Sequence, residues 1–337
     1  MIILLKPDPT GAVLKQVQTA LSKSGIQANI LFSCRETLLE IPELPDGRDP
    51  AFISALPGVA SVIRTAEKIA LWSREAHPEN TCIRVKKAVF GDGSFPVIAG
   101  PCAVETQELM NETARAVYIA GAAALRGGAF KPRTSPYDFQ GLGREGLELL
   151  IRAGKENGLP VVSEIMSLKQ LPLFEDVDIL QVGARNMQNF ELLKELGHLH
   201  KPILLKRGLA ATLQELLMST EYILAGGNTQ VILCERGIRG CSGQTRNVLD
   251  LSAIPMLHRM THLPVIVDPS HATGIADLVA PMAAAAAACG ADGLMLEVHP
   301  HPEKALCDGA QAIHPDTLEK IIRTAKAVRT AVGYSAE

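Results

Sequence analysis

The sequence is poor in aromatic residues and has almost no excess of charge of either sign, and both shortages exclude classes of function. One Trp, four Tyr and eight Phe occur among 337 residues, and 33 Lys and Arg stand against 36 Asp and Glu, for a net charge of −3. A surface that binds nucleic acid needs clustered basic side chains and often uses aromatic rings on which bases stack. We therefore expect no nucleic-acid partner.

Long hydrophobic runs and paired cysteines are also missing. The alanine-rich run between Asp277 and Asp292 is shorter than the ~20 residues that a membrane-spanning helix needs. The first apolar run ends at Lys6 and Pro7, which is not the pattern of a signal peptide. The seven cysteines form no CxxC pair, so neither a disulfide framework nor a zinc ribbon is indicated. We expect no membrane partner, and a reducing cytoplasm as the location.

Residues 1–66 predict a small domain of their own. The predicted elements are a strand at Ile2–Lys6, a helix at Ala12–Ser24, strands at Gln27–Ser33 and Thr37–Ile41, a short helix at Pro50–Leu56 and a strand at Val59–Thr65. This βαββαβ order is typical of ferredoxin-like and ACT-like modules. Such modules bind ligands, or serve packing and oligomerisation. No cluster of reactive side chains in this part of the sequence decides between these roles.

Residues 67–93 predict a connector that ends in a hairpin, and residues 94–337 predict one large domain. In the large domain a short apolar strand, a polar or glycine-rich loop and an amphipathic helix recur. The predicted strands are Pro96–Ala99, Ala123–Arg126, Pro160–Glu164, Ile179–Gly183, Pro202–Lys206, Gln230–Cys234, Pro264–Val267 and Gly293–Glu297. Eight such units indicate a (β/α)8 TIM barrel. An open doubly wound sheet has the same alternation, but no G-x-G-x-x-G follows the first strand, which favours the barrel.

Polar side chains follow nearly every predicted strand, at the end where a barrel forms its active site. They are Cys102, Arg126, Lys131, Arg133, Glu164, Arg185, Lys206, Arg207, Glu235, Arg236, Arg239, Asp268, His271, Glu297 and Asp308. Any one of these charges could belong to a surface ion pair. Because the barrel would bring the whole set to one mouth, the sequence predicts a site there.

Two subsets of these residues suggest different ligands. Six cations, which would repel one another in an empty pocket, suit two phosphates and a carboxylate: Arg126, Lys131, Arg133, Arg185, Lys206 and Arg236. One thiolate, one imidazole and two carboxylates suit a divalent ion such as Mn²⁺, Fe²⁺, Co²⁺ or Zn²⁺: Cys102, His271, Glu297 and Asp308. Such a cation could polarise a substrate oxygen. Cys102 and His271 are equally compatible with ordinary packing roles, so the residues alone leave the metal open.

The same residues lie in longer motifs that resemble those of 3-deoxy-D-arabino-heptulosonate 7-phosphate (DAHP) synthases. The motifs are GPCAVE at 100–105, RGGAFKPRTSP at 126–136, GARN at 183–186, LKRG at 205–208, CERG at 234–237, VDPSH at 267–271, EVHP at 297–300 and PEKALCDG at 302–309. The resemblance covers essentially the whole chain. The N-terminal module and SREAHP at 73–78 are similar to the type Iβ branch, whereas the segment 240–243 after Arg239 matches no family pattern.

The resemblance implies a metal-dependent condensation of phosphoenolpyruvate with erythrose 4-phosphate and water. The products are DAHP and phosphate, in the first step of the shikimate pathway to the aromatic amino acids. It implies metal ligands at Cys102, His271, Glu297 and Asp308, phosphoenolpyruvate contacts at Arg126, Lys131, Arg185, Lys206 and Arg236, and aldose phosphate contacts at Arg133, Thr134 and Ser135. Our own hypothesis makes Lys131 and His271 the proton donors, and Glu164 the residue that orients the water.

The sequence also leaves two alternative functions to consider, and it predicts an effector and a homo-oligomer. A 3-deoxy-D-manno-octulosonate 8-phosphate synthase would share the barrel and use arabinose 5-phosphate, but that family resembles KANRS where this chain has KPRTS at 131–135. A non-catalytic metabolite sensor would be favoured by a lost metal ligand, and none is lost. We further expect the N-terminal module to bind tyrosine or phenylalanine and cover the barrel mouth. The chain is expected to form a homo-oligomer, with a tetramer favoured.

Overall fold

A computed structural model describes residues 2–8, 11–32, 37–41, 51–63, 70–132, 135–241 and 243–335. The chain divides into two compact units, Met1–Ile69 and Ala70–Glu337. This division lies three residues beyond the end of the predicted first domain. It places the described part of the predicted connector, residues 70–93, in the second unit.

The first unit contains a four-stranded antiparallel sheet and two helices. Its elements are β1 (Ile2–Leu5), α1 (Ala12–Lys23), β2 (Asn29–Phe32), β3 (Thr37–Glu40), α2 (Ala51–Ser54) and β4 (Val59–Ile63). The strand order is β2-β3-β1-β4, which is the ferredoxin-like order. Val17 and Leu21 lie one turn apart on α1 and are buried in a core with Ile3, Leu39 and Ile53. The predicted βαββαβ domain is confirmed.

The second unit begins with a hairpin and continues as a closed parallel barrel. The hairpin is β5 (Ile83–Val85) and β6 (Ala88–Phe90), and the barrel strands are β7 (Val97–Gly100), β8 (Ala124–Arg126), β9 (Val161–Glu164), β10 (Ile179–Val182), β11 (Ile203–Lys206), β12 (Val231–Glu235), β13 (Val265–Val267) and β14 (Leu294–Glu297). β14 pairs with β7 and closes the barrel, with Leu294 opposite Val97 and Glu297 opposite Gly100. The predicted barrel is confirmed, and the open sheet is excluded.

Helices lie between and after the barrel strands. They are α3 (Gln107–Ile119), α4 (Arg144–Glu156), α5 (Phe190–Gly197), α6 (Leu213–Ala225), α7 (Ala253–Met260), α8 (Pro269–Thr273), α9 (Ala276–Ala288) and α10 (Pro315–Ala331). Their first turns carry local signals, such as the capping box in which Thr212 and Glu215 bond each other's backbone N–H at the start of α6. Within the described part of the chain, none of the helices has the length and apolar character needed to cross a membrane.

The inner face of the barrel is filled near the N-terminal ends of the strands. Ile98, Leu204 and Ile266, each near the start or middle of its strand, pack in one cluster with Ile83 and Phe90 of the hairpin. Phe90 is fully buried, and truncating such a side chain to alanine typically costs about 3–5 kcal/mol. The N-terminal end of the barrel is therefore packed with apolar side chains. The polar residues that follow the strands lie at the opposite, C-terminal end.

Candidate active site

A pocket lies at the C-terminal ends of the barrel strands. It contains about 790 Å³ of empty space, part of which is open to solvent. The described residues that line it are Arg126, Lys131, Pro132, Asp138, Glu164, Gln181, Gly183, Ala184, Arg185, Lys206, Arg236, Arg246, His271 and Asp308. Among them are six basic and three acidic side chains, so the described lining suits an anionic ligand.

The structure brings together most of the predicted phosphate-binding residues. Five of the six predicted cations line the pocket: Arg126, Lys131, Arg185, Lys206 and Arg236. Arg133 and Thr134 lie outside the described residues. Ser135 is not among the described residues of the lining, and its hydroxyl accepts a hydrogen bond from the backbone N–H of Tyr137 at 3.2 Å.

The four predicted metal ligands also meet at this end of the barrel. One ligand atom from each of Cys102, His271, Glu297 and Asp308 can be chosen so that all four lie within 4.8 Å of one another. Cys102 follows β7, His271 lies in α8, Glu297 ends β14, and Asp308 precedes a short 3₁₀ helix, Gly309–Gln311. Four separate elements of the barrel therefore supply the cluster.

Glu297 shows that this cluster fits a cation. Its carboxylate is fully buried, and Oε1 lies 3.2 Å from His271 Nε2 and 3.2 Å from Arg126 Nη1. Oε1 has no well-aligned hydrogen-bond donor among the described residues, whereas the side-chain amide of Gln311 donates to Oε2. Buried carboxylate oxygens normally have a partner. A metal ion among the four side chains would provide one.

His271 is oriented by a carboxylate behind it. Asp268 Oδ2 lies 2.7 Å from His271 Nδ1 and is also paired with Lys206. Burial lowers the pKa of His271, so the imidazole is neutral at pH 7. Burial alone would raise the pKa of Asp268, but His271 and Lys206 hold it well below its usual range. The arrangement favours a proton on Nδ1, which leaves the lone pair of Nε2 free for a metal ion.

The Cys102 thiol lies in a dense set of polar contacts. Its Sγ is 3.2 Å from both Asp308 Oδ2 and the sulfur of Cys307, and it accepts a hydrogen bond from Lys131 Nζ at 3.0 Å. The contact with Cys307, burial and the Glu297 charge together raise the pKa of Cys102 well above its usual range. Without a bound cation, Cys102 is therefore a neutral thiol at pH 7.

The buried cations keep their charge because of nearby acidic groups. Burial opposes the charged form of Lys131, but the pKa of Lys131 is raised above its usual value by Cys102, when its thiol is ionised, and by Glu297. Burial likewise opposes the charge on Arg126, and Glu297 raises the pKa of Arg126. Lys131 Nζ also donates to the carbonyl of Cys102 at 3.1 Å. The pocket therefore holds fixed positive charge next to Cys102, His271, Glu297 and Asp308, which we call the metal-type cluster.

Glu164 lies over a glycine at the end of the next strand. Its carboxylate accepts a hydrogen bond from Gln181 Nε2 at 3.3 Å. A Cβ atom on Gly183 would come within 1.9 Å of Glu164 Oε1, so a glycine at this position leaves room for the carboxylate. The sequence placed Glu164 at the strand end, and the structure places it in the lining of the pocket.

Three charged residues expected at the barrel mouth are not among the described residues of the pocket lining. Arg207 pairs with Glu235 and Asp250, each at 2.9 Å, and neither Arg207 nor Glu235 is among the described lining residues. Successive side chains along a strand point to opposite faces, and Lys206 takes the inward position next to Arg207. Arg239 is also absent from the described lining. Arg207 and Glu235 therefore pair with each other, and the expectation that these three residues join the site stays a prediction.

Two residues of the site were missed. Arg246 lines the pocket, and its Nη1 lies 3.4 Å from Asp308 Oδ1 and 3.0 Å from Gln311 Oε1. From the sequence we selected polar residues at or just after the ends of barrel strands, a criterion that we call the strand-end rule. Neither Arg246 nor Gln311 ends a barrel strand, so the rule did not select them. The available signal was a basic residue in the long loop between β12 and α7.

The comparisons with known proteins agree with this geometry. The chain matches the DAHP synthetase I family over residues 76–333. It belongs to the DAHP synthase family. It is 45% identical over 336 residues to a phospho-2-dehydro-3-deoxyheptonate aldolase of Thermotoga maritima, with 99% of each chain covered. It is 31% identical over 261 residues to a 2-dehydro-3-deoxyphosphooctonate aldolase of Geobacter sulfurreducens, with 72% of this chain and 95% of that protein covered.

Solved structures from the same family match this chain. The crystal structure of a DAHP synthase of Thermotoga maritima superposes with a TM-score of 0.80 at 43% identity, covering 100% of this chain and 99% of the other. A truncated form of the 3-deoxy-D-arabino-heptulosonate 7-phosphate synthase of Thermotoga maritima gives 0.74 at 46% identity, covering 79% of this chain and 98% of the other. The resemblance found in the sequence motifs is confirmed, and the octulosonate enzymes are more distant relatives.

Proposed function

We propose that this DAHP synthase family member condenses phosphoenolpyruvate with erythrose 4-phosphate and water. The products are DAHP and inorganic phosphate, in the first step of the shikimate pathway. The observation that carries the proposal is a pocket lined by fixed cations and by His271 and Asp308, which form a Cys-His-Glu-Asp cluster with the buried Cys102 and Glu297. The full-length similarity to the Thermotoga aldolase supports this choice of substrates.

Two groups of side chains bind the two substrates in this proposal. The phosphate and carboxylate of phosphoenolpyruvate are held by Arg126, Lys131, Arg185, Lys206 and Arg236, because guanidinium forks match such oxygens bidentately. Arg133, Thr134 and Ser135 hold the phosphate of erythrose 4-phosphate, an assignment that rests on the sequence motif alone.

Cys102, His271, Glu297 and Asp308 would hold one divalent ion, and the mixed sulfur, nitrogen and oxygen donors suit Mn²⁺, Fe²⁺, Co²⁺ or Zn²⁺. Such an ion supplies Lewis acidity for the aldehyde oxygen when it is bound. The chain's own contribution is to keep four donors from four elements at one point, with Asp268 fixing the imidazole.

The reaction itself forms a carbon–carbon bond, transfers protons and adds water. The methylene carbon of phosphoenolpyruvate attacks the aldehyde carbon, and the new hydroxyl takes a proton from the protein. Lys131 and His271 are the candidate donors. The raised pKa of Lys131 keeps it protonated, whereas the lowered pKa of His271 leaves it neutral, and this favours Lys131. Glu164 orients the water that adds to the enol carbon. One proton of this water replaces the proton given to the new hydroxyl, and the other leaves with the phosphate when the carbon–oxygen bond breaks.

Phosphate release is the test of this proposal. The chain is expected to release phosphate from phosphoenolpyruvate with erythrose 4-phosphate, and much less with arabinose 5-phosphate. Activity should disappear with a chelator and return when one of the four metals is added back. Cys102→Ala should abolish turnover, and Cys241→Ala, which changes an exposed cysteine, serves as its control. Faster turnover of arabinose 5-phosphate would favour the octulosonate reaction, and no turnover of either sugar would favour a sensor.

We also propose that the first unit binds tyrosine or phenylalanine as a feedback inhibitor. The support is its ferredoxin-like sheet attached to the barrel of a pathway's first enzyme. The full chain should be inhibited by one of these amino acids and not by alanine. A chain starting at residue 70 should stay active and insensitive. A relative that covers 79% of this chain has been solved in truncated form, which supports testing a shortened chain. Inhibition that survives the deletion would overturn the proposal.

We propose a homo-oligomer, with a tetramer as the favoured state, in line with the expectation from the sequence. Light scattering coupled to size-exclusion chromatography measures the mass of the particle in solution. A tetramer has four times the chain mass of 36.0 kDa, and a particle of single-chain mass would overturn the proposal.

A further inference from the structure

Gln311 connects the two acidic residues of the cluster by way of Arg246. Its Nε2 donates to Glu297 Oε2, and its Oε1 accepts a hydrogen bond from Arg246 Nη1 at 3.0 Å. The same Arg246 nitrogen lies 3.4 Å from Asp308 Oδ1. Gln311 is 2% exposed, so water does not readily replace either contact. Neither residue is one of the four ligand-type side chains of the cluster.

The backbone of Asp308 has a left-handed conformation. Asp308 has a φ of 54° and a ψ of 31°, a left-handed conformation that residues other than glycine rarely adopt. The next residue is a glycine, and a Cβ on Gly309 would lie 2.3 Å from the carbonyl oxygen of Pro302. The backbone N–H of Gln311 bonds back to the carbonyl of Asp308 at 3.2 Å. The turn therefore fixes the distance between Asp308 and Gln311.

Arg246 is itself attached to the helix that carries His271. The backbone N–H of Arg246 donates to the carbonyl of Thr273 at 2.9 Å, and Asn247 Nδ2 donates to the carbonyl of His271 at 3.0 Å. The segment 246–247 thus joins α8 to the turn at 308–311. Three of the four ligand-type residues are linked in this way, namely His271, Glu297 and Asp308.

The charges in this network explain why an amide stands at its centre. Two carboxylates beside each other repel, and each has a second oxygen that needs a partner of its own if the first oxygen is to face the metal position. An amide donates on one side and accepts on the other, so it can hold Glu297 and Arg246 at once, whereas a carboxylate only accepts when ionised. By occupying Oε2 of Glu297, Gln311 leaves Oε1 directed into the cluster.

We propose that Gln311 and Arg246 are positioning residues for the metal centre. They hold the carboxylates of Glu297 and Asp308 in the orientation that binds a cation, without touching the cation themselves. The inference rests on the proposed function, since it presupposes that the cluster binds a metal. Losing such an outer contact typically weakens metal affinity by about 10–100-fold.

Cobalt binding to the metal-stripped full chain tests this inference. Co²⁺ bound by a cysteine gives a sulfur-to-metal absorption band, and the affinity follows from titration against a competing chelator. Gln311→Met keeps the length of the side chain and removes both hydrogen bonds, and Arg246→Gln alters a partly exposed position that tolerates change more readily. Both variants should bind Co²⁺ about 10–100-fold more weakly and show an altered band. Arg246→Lys, which keeps one charge, should fall between Arg246→Gln and the unchanged chain.

Matched controls separate this effect from a general loss of stability. Gln230→Met and Arg239→Gln change the same residue types at positions outside the described pocket lining, and both should bind Co²⁺ like the unchanged chain. Thermal unfolding of the metal-free variants reports folding separately. If the unchanged chain shows no thiolate band, the proposed metal centre fails. If it shows the band and both Gln311→Met and Arg246→Gln bind within twofold of it, the positioning role is refuted.

Discussion

Asp268 and His271 are joined by two hydrogen bonds across one turn of α8. Asp268 Oδ1 accepts from the backbone N–H of His271 at 2.9 Å and thereby caps the helix, and Oδ2 lies 2.7 Å from the ring Nδ1. One carboxylate thus fixes both the position of the helix and the rotation of the imidazole. Because Oδ2 is also paired with Lys206, the same carboxylate connects the metal-type cluster with a cation of the pocket.

Asp268→Asn should weaken metal binding more than it weakens folding. An asparagine can still cap α8, but its amide group facing Nδ1 would favour the proton on Nε2, where the metal should bind. We expect about 10–100-fold weaker Co²⁺ affinity by titration. Asp292→Asn is a matched control, because Asp292 pairs with His258 Nε2 at 2.9 Å and neither residue lines the pocket. Equal losses of affinity in the two variants would contradict the prediction.

Metal uptake should become tighter as the pH rises. The pKa of the Cys102 thiol is raised, so the thiol must lose a proton on binding, whereas the lowered pKa of His271 leaves that residue already neutral. The carboxylates contribute no proton either, since the pKa of Asp308 is lowered to about 2, with Arg246 opposing the effect of burial. One proton released per ion predicts about tenfold tighter binding per pH unit between about pH 7 and 8.

Calorimetric titration with Co²⁺ in buffers of different ionisation enthalpy counts the protons released. Cys102→Ser should lose both the affinity and the proton release, whereas Cys289→Ser should keep both, because Cys289 lies outside the cluster. An affinity that stays constant over this pH range would mean that Cys102 is already a thiolate, or that it does not bind the ion.

Gly183→Ala should act on Glu164. The new Cβ would overlap Glu164 Oε1 at 1.9 Å, and since the carboxylate is the end of a flexible side chain, it can move aside at little cost to folding. If Glu164 orients the reacting water, kcat should fall by about 10²-fold, while KM for phosphoenolpyruvate changes little. Steady-state kinetics of Gly183→Ala, Glu164→Gln and the double variant measure this.

The double variant distinguishes this explanation from a general distortion of the site. Once Glu164 is replaced by Gln, adding Gly183→Ala should cost little more, because both changes disable the same carboxylate. Fully additive losses of kcat would show that Gly183→Ala acts through another part of the site, and the role of Glu164 would lose its support.

The strand-end rule explains how much of the site the sequence could predict. Arg126, Lys206 and Glu297 end barrel strands, and a closed barrel must bring those ends together. The rule cannot tell which of two neighbouring residues faces inward, and so it selected Arg207 together with Lys206, although Arg207 pairs with Glu235. It also missed Gln311, because that residue reaches the cluster through a turn whose left-handed start leaves no periodic signal in the sequence.

The N-terminal unit shows a different limit. A short apolar run at Ile2–Lys6 and alternating residues at Thr37–Ile41 predicted two of its strands, and the βαββαβ order of the elements indicated a ferredoxin-like or ACT-like module. Its role could not be predicted in the same way, because ligand recognition in such a unit depends on loops and edges that carry no reactive cluster.

Labelled water should reveal which bond breaks when phosphate leaves. In the proposed reaction, water adds to the enol carbon of phosphoenolpyruvate, and the bond from that carbon to the bridging oxygen then breaks, so the bridging oxygen departs with the phosphate. With the reaction run in H₂¹⁸O, the released phosphate should therefore carry no ¹⁸O, as read by mass spectrometry. Unlabelled phosphate incubated with the chain in the same water controls for exchange. Labelled phosphate would mean that water attacks phosphorus, and Glu164 would then have no water to orient at carbon.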